Sequence, residues 1–97
     1  MKLSQQQIRL IQNYFKDKPV FKAYLFGSYV SDHVNPDSDI DILVELDYSI
    51  PMGLRFIKMQ YELQELLKQK VDLLTEKAIS KYIRPNIENQ KQLIYER

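Results

Sequence analysis

Apolar residues recur at helical spacing from the start of the chain. Ile8, Ile11, Tyr14 and Phe15 follow Ser4, a residue suited to an N-cap. The spacing predicts a first helix reaching about Asp17, where Lys18-Pro19 breaks it. Residues 20–26, Val-Phe-Lys-Ala-Tyr-Leu-Phe, are aromatic and β-favouring and stand between Pro19 and Gly27, which predicts a strand. A short helical turn is expected over residues 28–31 and a loop at Asn35-Pro36-Asp37-Ser38. Residues 39–46 then alternate. Ile40, Ile42 and Val44 point one way and Asp39, Asp41 and Leu43 the other, as in a second strand with a buried face.

After Pro51, the spacing of Phe56, Met59, Leu63, Leu66 and Leu67 predicts a helix to about Gln69, and residues 70–75 read as a third strand. From Ile79 to about Lys91 the pattern is helical, with Pro85 acceptable only where a new helix starts. Leu93-Ile94-Tyr95 suits a short last strand. The helix between strands two and three has the length a crossover needs, so those strands can run parallel. The expected fold class is therefore α/β (α+β). It is one small domain over residues 1–97, a mixed sheet of three to four strands backed by helices. One sheet face is covered and the other is left for a site.

Composition narrows the chemistry. A chain of 97 residues has room for one core. With no cysteine, a disulfide, a thiolate zinc site and a thiol nucleophile are all excluded. No apolar run approaches the roughly 18 residues of a membrane helix. The N-terminus turns polar at once, unlike a signal peptide, so a cytoplasmic location is expected. The formal net charge of +1 conceals an asymmetry. Between Lys22 and Arg55 there is no basic residue, yet Asp32, Asp37, Asp39, Asp41, Glu45 and Asp47 all fall there. Such a segment is either solvated or gathered around a cation. The basic residues elsewhere are spread over several elements, as solvated helix faces are, and direct nucleic-acid binding is not expected.

The informative stretch is Gly27-Ser28, ten residues, then Asp39-Ile40-Asp41. Two aspartates two apart on a strand share one face and can hold one or two hard cations such as Mg²⁺. Gly27 lets a phosphate approach the backbone, and Ser28 can donate to it. Asp72 lies between Val71 and Leu73, both apolar, so it faces the side of the sheet expected for Asp39 and Asp41. There it can accept the proton of an attacking hydroxyl or complete a second metal shell. Taken singly, each feature has a plainer reading: the polar face of a strand, an ordinary turn, a salt-bridge partner. Tyr29 is the tyrosine best placed to touch a nucleotide. Tyr14, Tyr24 and Tyr61 fall on apolar patterns and are expected in the core, and His33 is expected to be a solvated loop residue.

Gly27-Ser28, the ten-residue spacing, Asp39-Ile40-Asp41 and the later strand aspartate resemble the signature of the DNA polymerase β-type nucleotidyltransferase superfamily. The run Pro36-Asp37-Ser38-Asp39-Ile40-Asp41-Ile42-Leu43-Val44 and the ending Tyr82-Ile83-Arg84-Pro85-Asn86-Ile87 are similar to its minimal (MNT) branch. The resemblance implies a palm-like core, with Asp39, Asp41 and Asp72 as Mg²⁺-binding catalytic carboxylates and Gly27 with Ser28 holding the triphosphate. It implies ATP as substrate and a helical HEPN-family toxin as partner, a tyrosine of which receives AMP, so that the chain acts as antitoxin. The alternative is an antitoxin that neutralises the HEPN partner by binding alone. The sequence departs from the branch after Gly-Ser, where Val30, Ser31, Asp32 and His33 stand in place of a stretch with a basic residue. That removes a charge that would help hold a triphosphate.

Overall fold

The computed structural model describes residues 3–27, 39–82 and 84–97. Helix α1 (Gln5–Phe15) starts on a capping box. Ser4 Oγ accepts from the Gln7 amide at 3.1 Å while Gln7 Oε1 accepts from the Ser4 amide at 3.0 Å, satisfying two otherwise unpaired donors. Strand β1 (Val20–Phe26) has the predicted bounds. It is followed by β2 (Ile40–Leu46), α2 (Arg55–Leu67), β3 (Val71–Thr75), a 3₁₀ turn over Glu76–Ala78, α3 (Arg84–Gln90) and β4 (Gln92–Glu96). Helices α1 and α2 stop about two residues short of expectation. The stretch read as helical from Ile79 becomes α3 only at Arg84, which puts Pro85 in its first turn where no amide donor is missed.

The four strands lie in the order β3-β2-β1-β4. Strand β1 is antiparallel to both neighbours, while β2 and β3 run parallel with α2 as their crossover. The sheet is mixed and the domain is a small α/β unit, as the patterning predicts. Strand β3 forms one edge, and its outward amides are covered by α2: Gln64 Oε1 accepts from Val71 N at 3.1 Å and Gln60 Oε1 from Leu73 N at 3.0 Å. Two glutamines four apart on one helix thus blunt an edge that would otherwise invite another strand.

The main core lies between α1, α2 and one sheet face. Ile11, Phe15, Val20, Ile40, Ile42, Val44, Leu63 and Val71 have no solvent exposure. Burying each such side chain contributes about 1.5–3 kcal/mol relative to leaving it exposed. The opposite sheet face is not bare, as the pattern suggested. Phe26 and Leu43 pack there with Ile79 and Ile87, from the segment that leads into α3 and from α3 itself. Periodicity could not assign these residues, because a seven-residue helix is too short to show a stripe. What remains open is the end of that face where β2 and β3 begin.

One expected core residue is elsewhere. Tyr61 is 61% exposed, since it lies midway between Met59 and Leu63, which face the sheet, and so points to the far side of α2. Tyr14 and Tyr24 pack at the margins of the two clusters. At the other end of the molecule Arg97 ties β4 to the start of β1. Its Nη1 donates to Asp47 Oδ2 and its Nη2 to the Lys18 carbonyl, both at 3.0 Å. The Ser49 hydroxyl and the Arg97 guanidinium beside Asp47 hold its carboxyl below the usual carboxylate range. Among the described residues no helix is long and apolar enough to cross a membrane.

Candidate active site

Asp41 stands in β2 between Ile40 and Ile42, both fully buried in the main core, so the pleat turns its carboxylate to the opposite face. The same logic applies to Asp72 in β3, flanked by the buried Val71 and Leu73. Parallel register makes Asp41 and Asp72 direct partners across the β2–β3 ladder. Neighbouring strands lie about 4.8 Å apart, so two carboxylates share one level of the sheet. Both sit one rung outside Leu43 and Leu74, where the cover provided by Ile79 and Ile87 ends.

Asp39 precedes β2 and is two residues from Asp41, hence on the same side. Lys70, just ahead of β3, reaches it with Nζ 3.8 Å from Asp39 Oδ2. The placement is built in by the backbone, because the Lys70 carbonyl accepts from the Ile40 amide at 2.9 Å. Nothing in the periodicity of the chain singles out Lys70. The signal that would find it is the parallel pairing itself, which puts the residues preceding β2 and β3 side by side.

Gly27 closes β1 directly after Phe26, the antiparallel partner of Asp41. It adopts φ +74°, a conformation that glycine takes at little cost. A Cβ at this position would run into the Asp41 carboxylate, meeting Oδ2 and standing 3.2 Å from Cγ. The need for glycine here thus comes from the close approach of Asp41 as well as from the turn. Ser28 and Tyr29, expected at the nucleotide, lie outside the described residues, as do residues 30–33 with His33.

Electrostatics mark the three aspartates as one unit. Burial pushes the Asp41 carboxyl up to about 6, and the charges of Asp72 and Asp39 push it the same way. Lys70 pairs with Asp39, but burial and both neighbouring carboxylates disfavour the ionised form of Asp41, and a hard divalent cation is a ligand that would relieve it. The donor set fits, being all oxygen and all anionic. Among the described residues no three acidic or imidazole side chains are gathered tightly enough to enclose a metal ion. A cation held here would share itself between these carboxylates, water and the oxygens of a bound phosphate. Chemically, the arrangement suits displacement at phosphorus: anionic ligands for a metal, a carboxylate able to take a proton, and a glycine turn beside them.

The nucleotidyltransferase domain family model matches residues 8–94. A relative from Methanocaldococcus jannaschii named "Putative protein adenylyltransferase" is 40% identical over 91% of this chain and 89% of its own length. Among solved structures, a chain of a toxin–antitoxin crystallised with AMP-PNP superposes with a TM-score of 0.78 at 23% identity, covering 93% of this chain and 73% of that one. A chain of the complex of a tri-AMPylated Shewanella oneidensis HEPN toxin with an MNT antitoxin gives a TM-score of 0.74 at 22% identity, covering 98% and 74%. At such identities the structures speak for the fold, while the family model and the relative speak for descent. From the extent of both, the chain belongs to the nucleotidyltransferase domain family.

Proposed function

We propose that this chain transfers AMP from ATP, with Mg²⁺, to a tyrosine hydroxyl of a HEPN-family toxin and thereby acts as its antitoxin. The observation that carries the reading is the in-register pairing of Asp41 with Asp72, with Asp39 on the same side and Gly27 packed against Asp41. Support for the acceptor comes from the protein adenylyltransferase relatives and from the AMPylated toxin complex that shares the fold. Asp39, Asp41 and Asp72 are the residues that would hold Mg²⁺, which when bound neutralises triphosphate charge and polarises the α-phosphate. Gly27, Ser28 and Tyr29 are assigned to the nucleotide.

In the transfer the tyrosine oxygen bonds to the α-phosphorus, the bond from that phosphorus to the oxygen bridging the β-phosphate breaks, and pyrophosphate leaves. Asp72, the most exposed of the three carboxylates, takes the phenolic proton. Asp41, packed against Gly27, is the fixed member that sets where the α-phosphate rests. A domain of this size has little surface left to enclose an acceptor, so the partner itself supplies that wall and keeps water from competing.

The test is transfer of label from α-³²P-ATP in the presence of Mg²⁺ to a co-purified HEPN partner. Wild type should label the partner on tyrosine, and the Asp39→Ala/Asp41→Ala variant should not. Toxin neutralised equally by both proteins, with no label from any nucleoside triphosphate, would leave an antitoxin that acts by binding alone.

A further inference from the structure

Helix α2 carries a second surface, on the side away from the sheet and therefore away from the aspartates. Leu54 is 80% exposed, Ile57 53% and Tyr61 61%, an unusual outlay of apolar area on one small domain. At about 100° per residue the three fall within roughly 60° of arc, one stripe along the helix. Together with Met52 they line an open groove of about 700 Å³.

Charges beside the stripe indicate what covers it. Arg55 and Lys58 lie toward the N-terminal end of α2, and Glu62 and Glu65 toward its C-terminal end, all four on the same flank of the stripe. Among the described residues Arg55, Lys58 and Glu65 form no ion pair, and Glu62 engages only the Tyr14 hydroxyl, at 2.6 Å. The four are spaced evenly about Gln60: Lys58 and Glu62 stand two residues to either side, Arg55 and Glu65 five. In a two-fold antiparallel helix pair each flank meets the same flank of the other copy, run in reverse. A dyad at the level of Gln60 therefore sets Arg55 opposite Glu65 and Lys58 opposite Glu62, twice over, with Ile57 and Tyr61 meeting at the centre.

We propose that α2 is the self-association surface of this protein, an antiparallel α2–α2 contact between two copies. A partner with a uniformly basic or acidic groove would find half of this flank repulsive, whereas a second copy matches it throughout. One helix pair buries less than the roughly 1,200 Å² of a standard interface, so the dimer is weak, in the micromolar range, and sensitive to salt. Both active sites stay open in it, because α2 covers the other sheet face. The inference is independent of the transfer reaction.

The experiment is sedimentation equilibrium of the full chain from a few micromolar to several hundred micromolar. Wild type should dimerise, with a dissociation constant about tenfold weaker in high salt. Arg55→Glu and Glu65→Lys should each weaken the dimer by at least about tenfold, and mixing the two variants should restore it, since the mixed pair recovers both contacts. Ile57→Asp should abolish it while leaving the circular dichroism spectrum unchanged. A wild type that stays monomeric throughout would overturn the proposal. So would charge variants whose mixture fails to recover association, or a wild-type monomer whose stripe is needed only to bind a HEPN partner.

Discussion

Replacing Asp41 with asparagine should stabilise the metal-free protein at neutral pH, although it removes a residue assigned to the chemistry. Asp41 is a half-buried carboxylate whose pKa rises from 3.8 to about 6 through burial and the charges of Asp72 and Asp39. A displacement of roughly two pH units corresponds to a ceiling of about 3 kcal/mol of strain once the group is ionised. Solvent screens a group this accessible, so about half of that, roughly 1.5 kcal/mol, is the expected penalty. Because the folded-state pKa is raised, the protonated group favours folding. That contribution is fully present below 3.8 and is lost as pH rises through about 6. Asparagine keeps the shape and carries no charge at any of these values. For a domain of this size 1 kcal/mol moves Tm by about 4–8 °C, so Asp41→Asn should melt roughly 6–12 °C above wild type at about pH 8 with EDTA present. The gap should close as pH falls below about 4, where both side chains are neutral. Thermal unfolding followed by circular dichroism across that range reads it directly. A variant no more stable than wild type at about pH 8, or a gap that does not change with pH, would refute the electrostatic account. Added Mg²⁺ should raise the Tm of wild type and leave that of Asp41→Asn nearly unmoved, and the reverse would refute the assignment of a cation to this carboxylate.

Other substitutions test other parts of the structure. Gly27→Ala puts a methyl group against the Asp41 carboxylate at a φ of +74°, and should cost about 1–3 kcal/mol by urea unfolding and abolish transfer. Leu63→Ala empties a fully buried position under the sheet and should cost about 2–5 kcal/mol in the same assay. Gln60→Ala uncovers the Leu73 amide on the edge strand and should cost about 1 kcal/mol, with faster hydrogen exchange at Leu73 but not at Val71, whose amide Gln64 still accepts from. Arg97→Ala removes the guanidinium that, after the Ser49 hydroxyl, does most to hold the Asp47 carboxyl low. Because the Asp47 pKa is lowered in the fold, wild type should exceed the variant in Tm at neutral pH, and the difference should shrink as pH falls through the carboxylate range.

Sequence by itself determined the elements and the faces. Pro19 and Gly27 bound β1 to the residue, because proline and glycine limit backbone angles locally. Alternation around Asp41 and the apolar neighbours of Asp72 assigned both carboxylates to one face, since a strand's period of two is a property of its own residues. The family resemblance carried by Gly27-Ser28 and Asp39-Ile40-Asp41 agrees with the family match and the fold. Tertiary structure decided what lies level with what. That Asp72 stands opposite Asp41, that Lys70 meets Asp39, and that Gly27 must be glycine because Asp41 leans on it are all consequences of register between segments distant in the chain. Periodicity carries no information about register. It also misled where one helix face had to be chosen. Tyr61 falls on an apolar pattern that points to the core, yet Met59 and Leu63 claim the buried side and turn it outward. The cover over Leu43 is illegible in the sequence for the opposite reason. Ile79 and Ile87 come from a stretch too short and irregular to show a pattern, and they are buried because the sheet has an apolar face there to receive them.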